Sequence, residues 1–349
     1  MNNRPKRSDT LRDVKVEPLD ESGPNTDEMQ PTTQVDGLAA LEPTPERSEL
    51  ERHAREHPLD ERSFKDLAQW FERAQDAARA GWMKDIAVAV SGKPSSPPRS
   101  PRLILSSQHR KVLKHPRLAT PDTEAIVIAG PSLCRMYPSS GSAAGSGTEF
   151  DADAGPGAGK AGEALMAAVR ILGMKAPGVF LAEENGPPFS LAFYGEPKLL
   201  VGRLAVRREL SDSELRFYAG RALFTTSPDL MALRLLRKEE LSEGLLAIGK
   251  VLKNERAPAV DARAIRDGLP AEARGRLNEL LVSLGRKIKI EAMLDGARHS
   301  VNRAGLVVCG GLGPALHALK AKKALKSELE ELVRFAMSEE YFALTAKRV

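Results

Sequence analysis

The side chains best able to bind a metal or attack a substrate are few in this chain, and their spacing limits what they can do. Six histidines and two cysteines are scattered over 349 residues. Cys134 and Cys309 lie far apart, offering neither metal-ligand spacing nor a disulfide framework, as in a reducing cytoplasm. Cys309 sits in LVVCGG, an apolar setting that keeps a thiol protonated and inert, so it reads as a core cysteine. His299 and His317 have no Ser, Cys or Asp nearby in sequence that forms a recognisable nucleophile–base pair. The first reads as a residue that caps or packs at a helix surface, the second as a partly exposed helix residue. The GAGK ending at Lys160 invites comparison with a phosphate loop. That loop needs a glycine where Ala154 stands and Ser or Thr where Ala161 stands, and no apolar strand leads into it, so a flexible insert is expected instead.

The elements that would position any chemistry lie in the C-terminal half. Residues Ser211 to Leu230 form the strongest local signal. Ser211 and Glu214 make a capping box, and Leu215, Phe217, Tyr218, Leu223 and Phe224 follow as an apolar stripe at helical spacing, stopped by Pro228. Before it, EALMAAVRILGM predicts an amphipathic helix ending at Gly173. VFLA, FSLAFY and KLLVGRLA are short apolar runs between Gly and Pro, which predict strands. After it the pattern is nearly all helical, with a long helix from about Lys289 through Cys309 and a last helix starting at a Ser338 cap. The expected class is therefore α+β, predominantly helical, with a small β-sheet.

Residues 1–45 are rich in Pro, Asp, Glu, Thr and Ser and predict a disordered acidic leader. Residues 46–92 turn helical: one helix broken by Pro58, a second from about Ser63 with Phe64, Leu67, Trp70 and Phe71 on one face, and a third after Gly81. A helix pair of this length resembles a single tetratricopeptide unit, with no second copy at that period, so it must pack on the remainder or on a partner. Residues 93–161 read as a Pro/Gly/Ser-rich linker, partly ordered in LILSSQHRKVLKHPRL and EAIVIAGPSLCRMY. The domain proper is expected over 162–349.

The capped helix together with HSVNRAGLVVCGGLGPAL resembles the HExxH zinc metallopeptidases of the HtpX and CAAX-protease type. More specifically, it resembles a divergent branch at the C-termini of bacterial tetratricopeptide-repeat proteins, with a helix like ELxFxxGxxLA and a segment like ANRAGLLxCGDL. The matching residues are Glu214, Leu215, Phe217, Gly220 and Leu223, with Ala222 shifted by one. Asn302, Arg303, Ala304, Gly305, Leu306, Cys309 and Gly310 match the second segment. The resemblance spans about 162–325, more loosely 46–92, and implies a zincin-like helical domain.

It also implies that the chemistry is gone. Aligning Gly220 with the glycine of GHExxH makes the motif read Arg221-Ala222-Leu223-Phe224-Thr225. The two histidines become Arg221 and Thr225, and the general base becomes Ala222. Asn302 takes the Asp position of ExxxD, which places Arg298 at the third ligand. A guanidinium stays protonated and has no lone pair to give Zn²⁺, and without metal and Glu nothing activates a water. The expectation is a non-catalytic peptidase-derived scaffold or protein-interaction module with no metal or cofactor; the alternative is a metal-dependent or altered-site hydrolase (peptidase). If the fold is kept, Arg221 and Arg298 face one another beside Thr225 and His299. Such a site demands a small anion or carboxylates such as Asp295, unless both side chains reach solvent or pair on adjacent helices.

The net charge suggests an anionic partner, but it is unevenly spread. The pI is near 9.1. Residues 1–60 are acidic by roughly six charges and the rest basic by about eleven, but the C-terminal cations alternate with Glu and Asp and include no basic block interleaved with aromatics. That argues against nucleic acid. No run approaches the ~18 consecutive apolar residues of a membrane span, so no membrane association and a cytoplasmic location are expected.

Overall fold

The computed structural model describes residues 44–93, 104–139, 148–152, 159–182, 186–207, 210–285 and 288–345. Residues 1–43 of the expected leader, and Gly157 and Ala158 of the GAGK run, therefore lie outside the described residues. The body that begins at Pro43 is α+β and predominantly helical, with one three-stranded sheet among the described residues.

Two crossing helices carry the core. Helix α8 (Asp212–Phe224) begins at the capping box expected from sequence: Ser211 Oγ accepts from the Glu214 amide at 3.3 Å, and Glu214 Oε2 accepts from the Ser211 amide at 3.0 Å. Its apolar stripe, Leu215, Phe217, Tyr218, Leu223 and Phe224, is buried throughout. Helix α13 (Ile290–Cys309) is about 30 Å long at 1.5 Å per residue, is buried on all sides from Val301 to Cys309, and ends at Gly310 in the left-handed conformation that favours glycine. The two cross closely because each lacks a side chain at the contact. A Cβ on Gly220 would lie 2.8 Å from the Val308 side chain; one on Gly305 would lie 2.8 Å from the Phe217 carbonyl oxygen and the Arg221 Cγ.

Around this pair pack α6 (Gly159–Leu172), α9 (Pro228–Leu235), α14 (Leu312–Ala321) and α15 (Lys326–Ala336). The strands are β1 (Gly178–Leu181), β2 (Phe189–Phe193) and β3 (Pro197–Val201), in the order β1-β3-β2; β3 runs parallel to β1 and antiparallel to β2. The third strand stops short of the full KLLVGRLA run. Gly202 donates to the Pro188 carbonyl, and a helical turn, α7 (Arg203–Val206), follows.

Residues 93–161, expected as linker, carry α4 (Ser107–Leu113) and α5 (Pro121–Met136). Helix α5 packs against α9, α10 (Lys238–Leu252), α11 (Ala259–Gly268) and α12 (Ala271–Leu284), and Ile126, Ala129 and Leu133 are fully buried. The boundary expected at 162 therefore cuts through packed structure.

The first three helices, α1 (Pro45–Glu56), α2 (Glu61–Arg73) and α3 (Ala77–Val90), follow the expected order. The third starts before Gly81, because the Asp76 side chain caps it by accepting from the Arg79 amide. The group docks on α14 and α16 (Glu339–Thr345). Arg47 and Arg79 both reach Glu339, and Trp82 stacks on Phe342 with ring centroids 4.6 Å apart. No helix among the described residues is long and apolar enough to cross a membrane.

Candidate functional site

The residues aligned with a metal centre lie where α8 crosses α13, and they divide into three groups. Arg221, Arg298 and Asn302 gather around one carboxylate that the sequence did not single out, Glu328 of α15. Its Oε2 accepts from Asn302 Nδ2 at 3.0 Å and from Lys322 Nζ at 3.2 Å, and its Oε1 lies 4.0 Å from Arg298 Nε. Glu328 is 5% exposed, and burial alone would push its carboxyl up. Asn302, Lys322 and Arg221 outweigh burial and hold it below the usual range.

Ala222 and Thr225 form the second group. Ala222 is buried in the packing of α8, and the Thr225 hydroxyl donates to the Arg221 carbonyl of its own helix at 2.9 Å. His299 alone points elsewhere. Its ring lies 5.0 Å from that of His115, beside a network in which Glu331 receives Arg303 at 2.6 Å and His115 at 3.3 Å. Burial, with His115 adding, pushes the His299 imidazole down to about 4, so it is neutral at pH 7, and its buried Nδ1 has no hydrogen-bond partner among the described residues.

The main feature of the site is an imbalance of charge. Arg234 of α9 joins Arg221, Arg298 and Lys322. Among the described residues, neither the Arg221 nor the Arg234 side chain has a hydrogen bond or ion pair, and the buried Nε of each is unpartnered. Arg221 instead lies over the Phe217 ring, with Cζ 5.5 Å from its centroid. Burial, then Arg234, pushes the Arg221 guanidinium down to about 10; burial, then Arg298, lowers Arg234. At about 10, Arg221 stays charged at neutral pH. Burial and the neighbouring Arg221 bring the Lys322 amine down to about 8.

No family model, no curated protein and no solved structure matches this chain.

The chemistry open to the site follows from its donors. Its first rank is N–H groups with one shared carboxylate, a set that attracts anions and repels divalent cations. Among the described residues, no three His, Cys, Asp or Glu side chains converge as metal ligands. Sequence reasoning missed Arg234, Lys322 and Glu328. A signal for Glu328 was present: it shares a helix face with the buried Leu332, Phe335 and Ala336, so it is a charge on an apolar stripe.

Other residues singled out from sequence are occupied structurally. His317 is largely exposed, and its Nδ1 sits 2.6 Å from Glu214 Oε1, tying α14 to the cap of α8. Cys134 and Cys309 are buried, and burial pushes both thiols up to about 12. Lys160 of the GAGK stretch pairs with Asp212 at 2.7 Å.

Proposed function

We propose that this chain is a non-catalytic, protein-interaction module in the cytoplasm, on a helical frame that resembles HExxH metallopeptidases and lacks their reaction. The observation that carries the reading is the pair of guanidiniums, Arg221 and Arg234, left unpartnered beside Glu328 at the crossing of α8 and α13. A hydrolytic centre of that type holds a divalent cation and a carboxylate base facing a water. Here Ala222 has no group to act as base, Thr225 spends its hydroxyl on its own helix, and Arg298 pairs with Asp295 at 3.0 Å. The packing of α1–α3 on α14 and α16 supports one binding body rather than a loose repeat pair.

The test is proteolysis of an unfolded protein substrate by the full chain, with added Zn²⁺ and with chelator. No cleavage above background is expected under either condition. Cleavage that the chelator abolishes and that survives further purification would overturn the reading in favour of an altered-site hydrolase.

A further inference from the structure

The cations at the α8–α13 crossing outnumber the carboxylates that face them. Arg221, Arg234, Arg298 and Lys322 gather around Glu328, and among the described residues Asp295 is the other carboxylate in reach, shared between Arg298 at 3.0 Å and Arg117 at 3.4 Å. Even with Asp295 assigned wholly to Arg298, four positive groups meet two negative ones. The Nε of Arg221 and of Arg234 is buried without a partner, while both residues stay partly exposed, so the surplus sits at a partly open site where an anion can replace water. An arginine cannot relieve it by losing its proton at neutral pH. The cluster is not sealed, since the side chains of Arg298 and Lys322 are 30% and 29% exposed.

From this arrangement we infer that the cluster is a binding site for a phosphate dianion, either free or as a phosphomonoester. The inference rests on reading the body as a binding module and names what the site recognises. Two uncompensated positive charges match the ≈ −1.5 to −2 of a phosphate near pH 7. A single carboxylate would leave about one charge unmet. Guanidiniums present paired N–H donors that suit phosphate oxygens, and Arg221 and Arg234 are the two with no other polar partner. Glu328 sets the specificity from the other side. It repels a ligand that brings negative charge close to its own carboxylate, and it fixes Lys322 and Asn302 at 3.2 and 3.0 Å so that the approach is from the arginine side.

The experiment is thermal unfolding and calorimetric titration of the full chain at low ionic strength. The probes are inorganic phosphate, a phosphoserine peptide, the same peptide without phosphate, and acetate. The proteins are the wild type, Arg221→Gln, Arg234→Gln and, as a surface control, Lys111→Gln. Phosphate is expected to raise the Tm of the wild type and of Lys111→Gln alike, because it binds the native state. Each arginine variant should bind it about tenfold more weakly, the loss of one charge-assisted hydrogen-bond partner. Both arginine variants remove surplus charge, so each should fold at least as stably as the wild type without ligand; either one alone suffices if the other does not fold. A phosphoserine peptide binding more tightly than free phosphate identifies a phosphoprotein as the source, and equal or weaker peptide binding identifies the free ion. Both support the site. Equal phosphate responses in all four proteins, or acetate matching phosphate, would overturn it. Failure here with no chelator-sensitive cleavage would leave the non-catalytic reading standing.

Discussion

His299 and Glu331 are two titratable residues of one network whose ionisation couples to stability. The imidazole of His299 is held down to about 4 by burial, and Glu331 is held down to about 2 because His115 and Arg303 outweigh its burial. Both folded values lie below those of an unfolded chain, so in each case the unfolded state takes up protons first as pH falls. The stability that depends on neutral His299 is complete above about 6.5 and is lost between there and about 4. The stability from ionised Glu331 is complete above about 4.5 and is lost towards about 2. Urea unfolding at pH 7 and pH 4.5 should therefore show a loss on the order of 2 kcal/mol from His299 alone, and His299→Leu should flatten that part of the profile. A wild-type stability that does not change over this range would contradict the burial assigned to the ring. This network was not legible in sequence. Its members come from α13, α15 and the turn after α4, and no local spacing links His115 to Glu331.

The crossing of α8 and α13 depends on Gly220 and Gly305, and here the chain was more readable. The capping box and apolar stripe set where α8 starts and which face it buries, and LVVCGG with its closing glycine set the end of α13. The closeness of the crossing was not readable, because a glycine within a helix does not reveal what approaches it. Alanine is the better helix former by ~1 kcal/mol. A Cβ at 305 would nevertheless lie 2.8 Å from a backbone oxygen, which cannot swing aside as a side chain can. Gly305→Ala should therefore destabilise by about 1–3 kcal/mol despite its propensity, measured as a shift of the urea midpoint. A midpoint equal to or above that of wild type would show that the helices separate without cost. Helix α11 and the full length of α5 were not readable for a different reason. Pro131 inside α5 and the prolines flanking α11 argue locally for loop, and burial against one another overrides them.

At the scale of the molecule, the first three helices belong to the same packed body as the site. Arg79 has a side chain only 5% exposed, and it is held between Asp76 and Glu339, residues far apart in the chain. Both tryptophans, Trp70 and Trp82, lie in α2 and α3, so fluorescence reports that group while far-UV circular dichroism reports all the helices. The two signals should trace one coincident transition in urea, as expected of a cooperative unit. An earlier fluorescence transition would mean that α1–α3 unfold independently. The sequence showed that this group could not bury its faces alone; it did not show that the C-terminal helices supply the cover.

The proposed reading is that cations occupy the place where an HExxH hydrolase would gather its metal ligands. The most direct measurement is the metal content of the full chain purified without chelator, determined by elemental mass spectrometry. Zinc far below one atom per chain, unchanged by equilibration with Zn²⁺ and washing, is the expected result. One tightly held zinc per chain, lost on substituting Arg298 or Asn302, would contradict it.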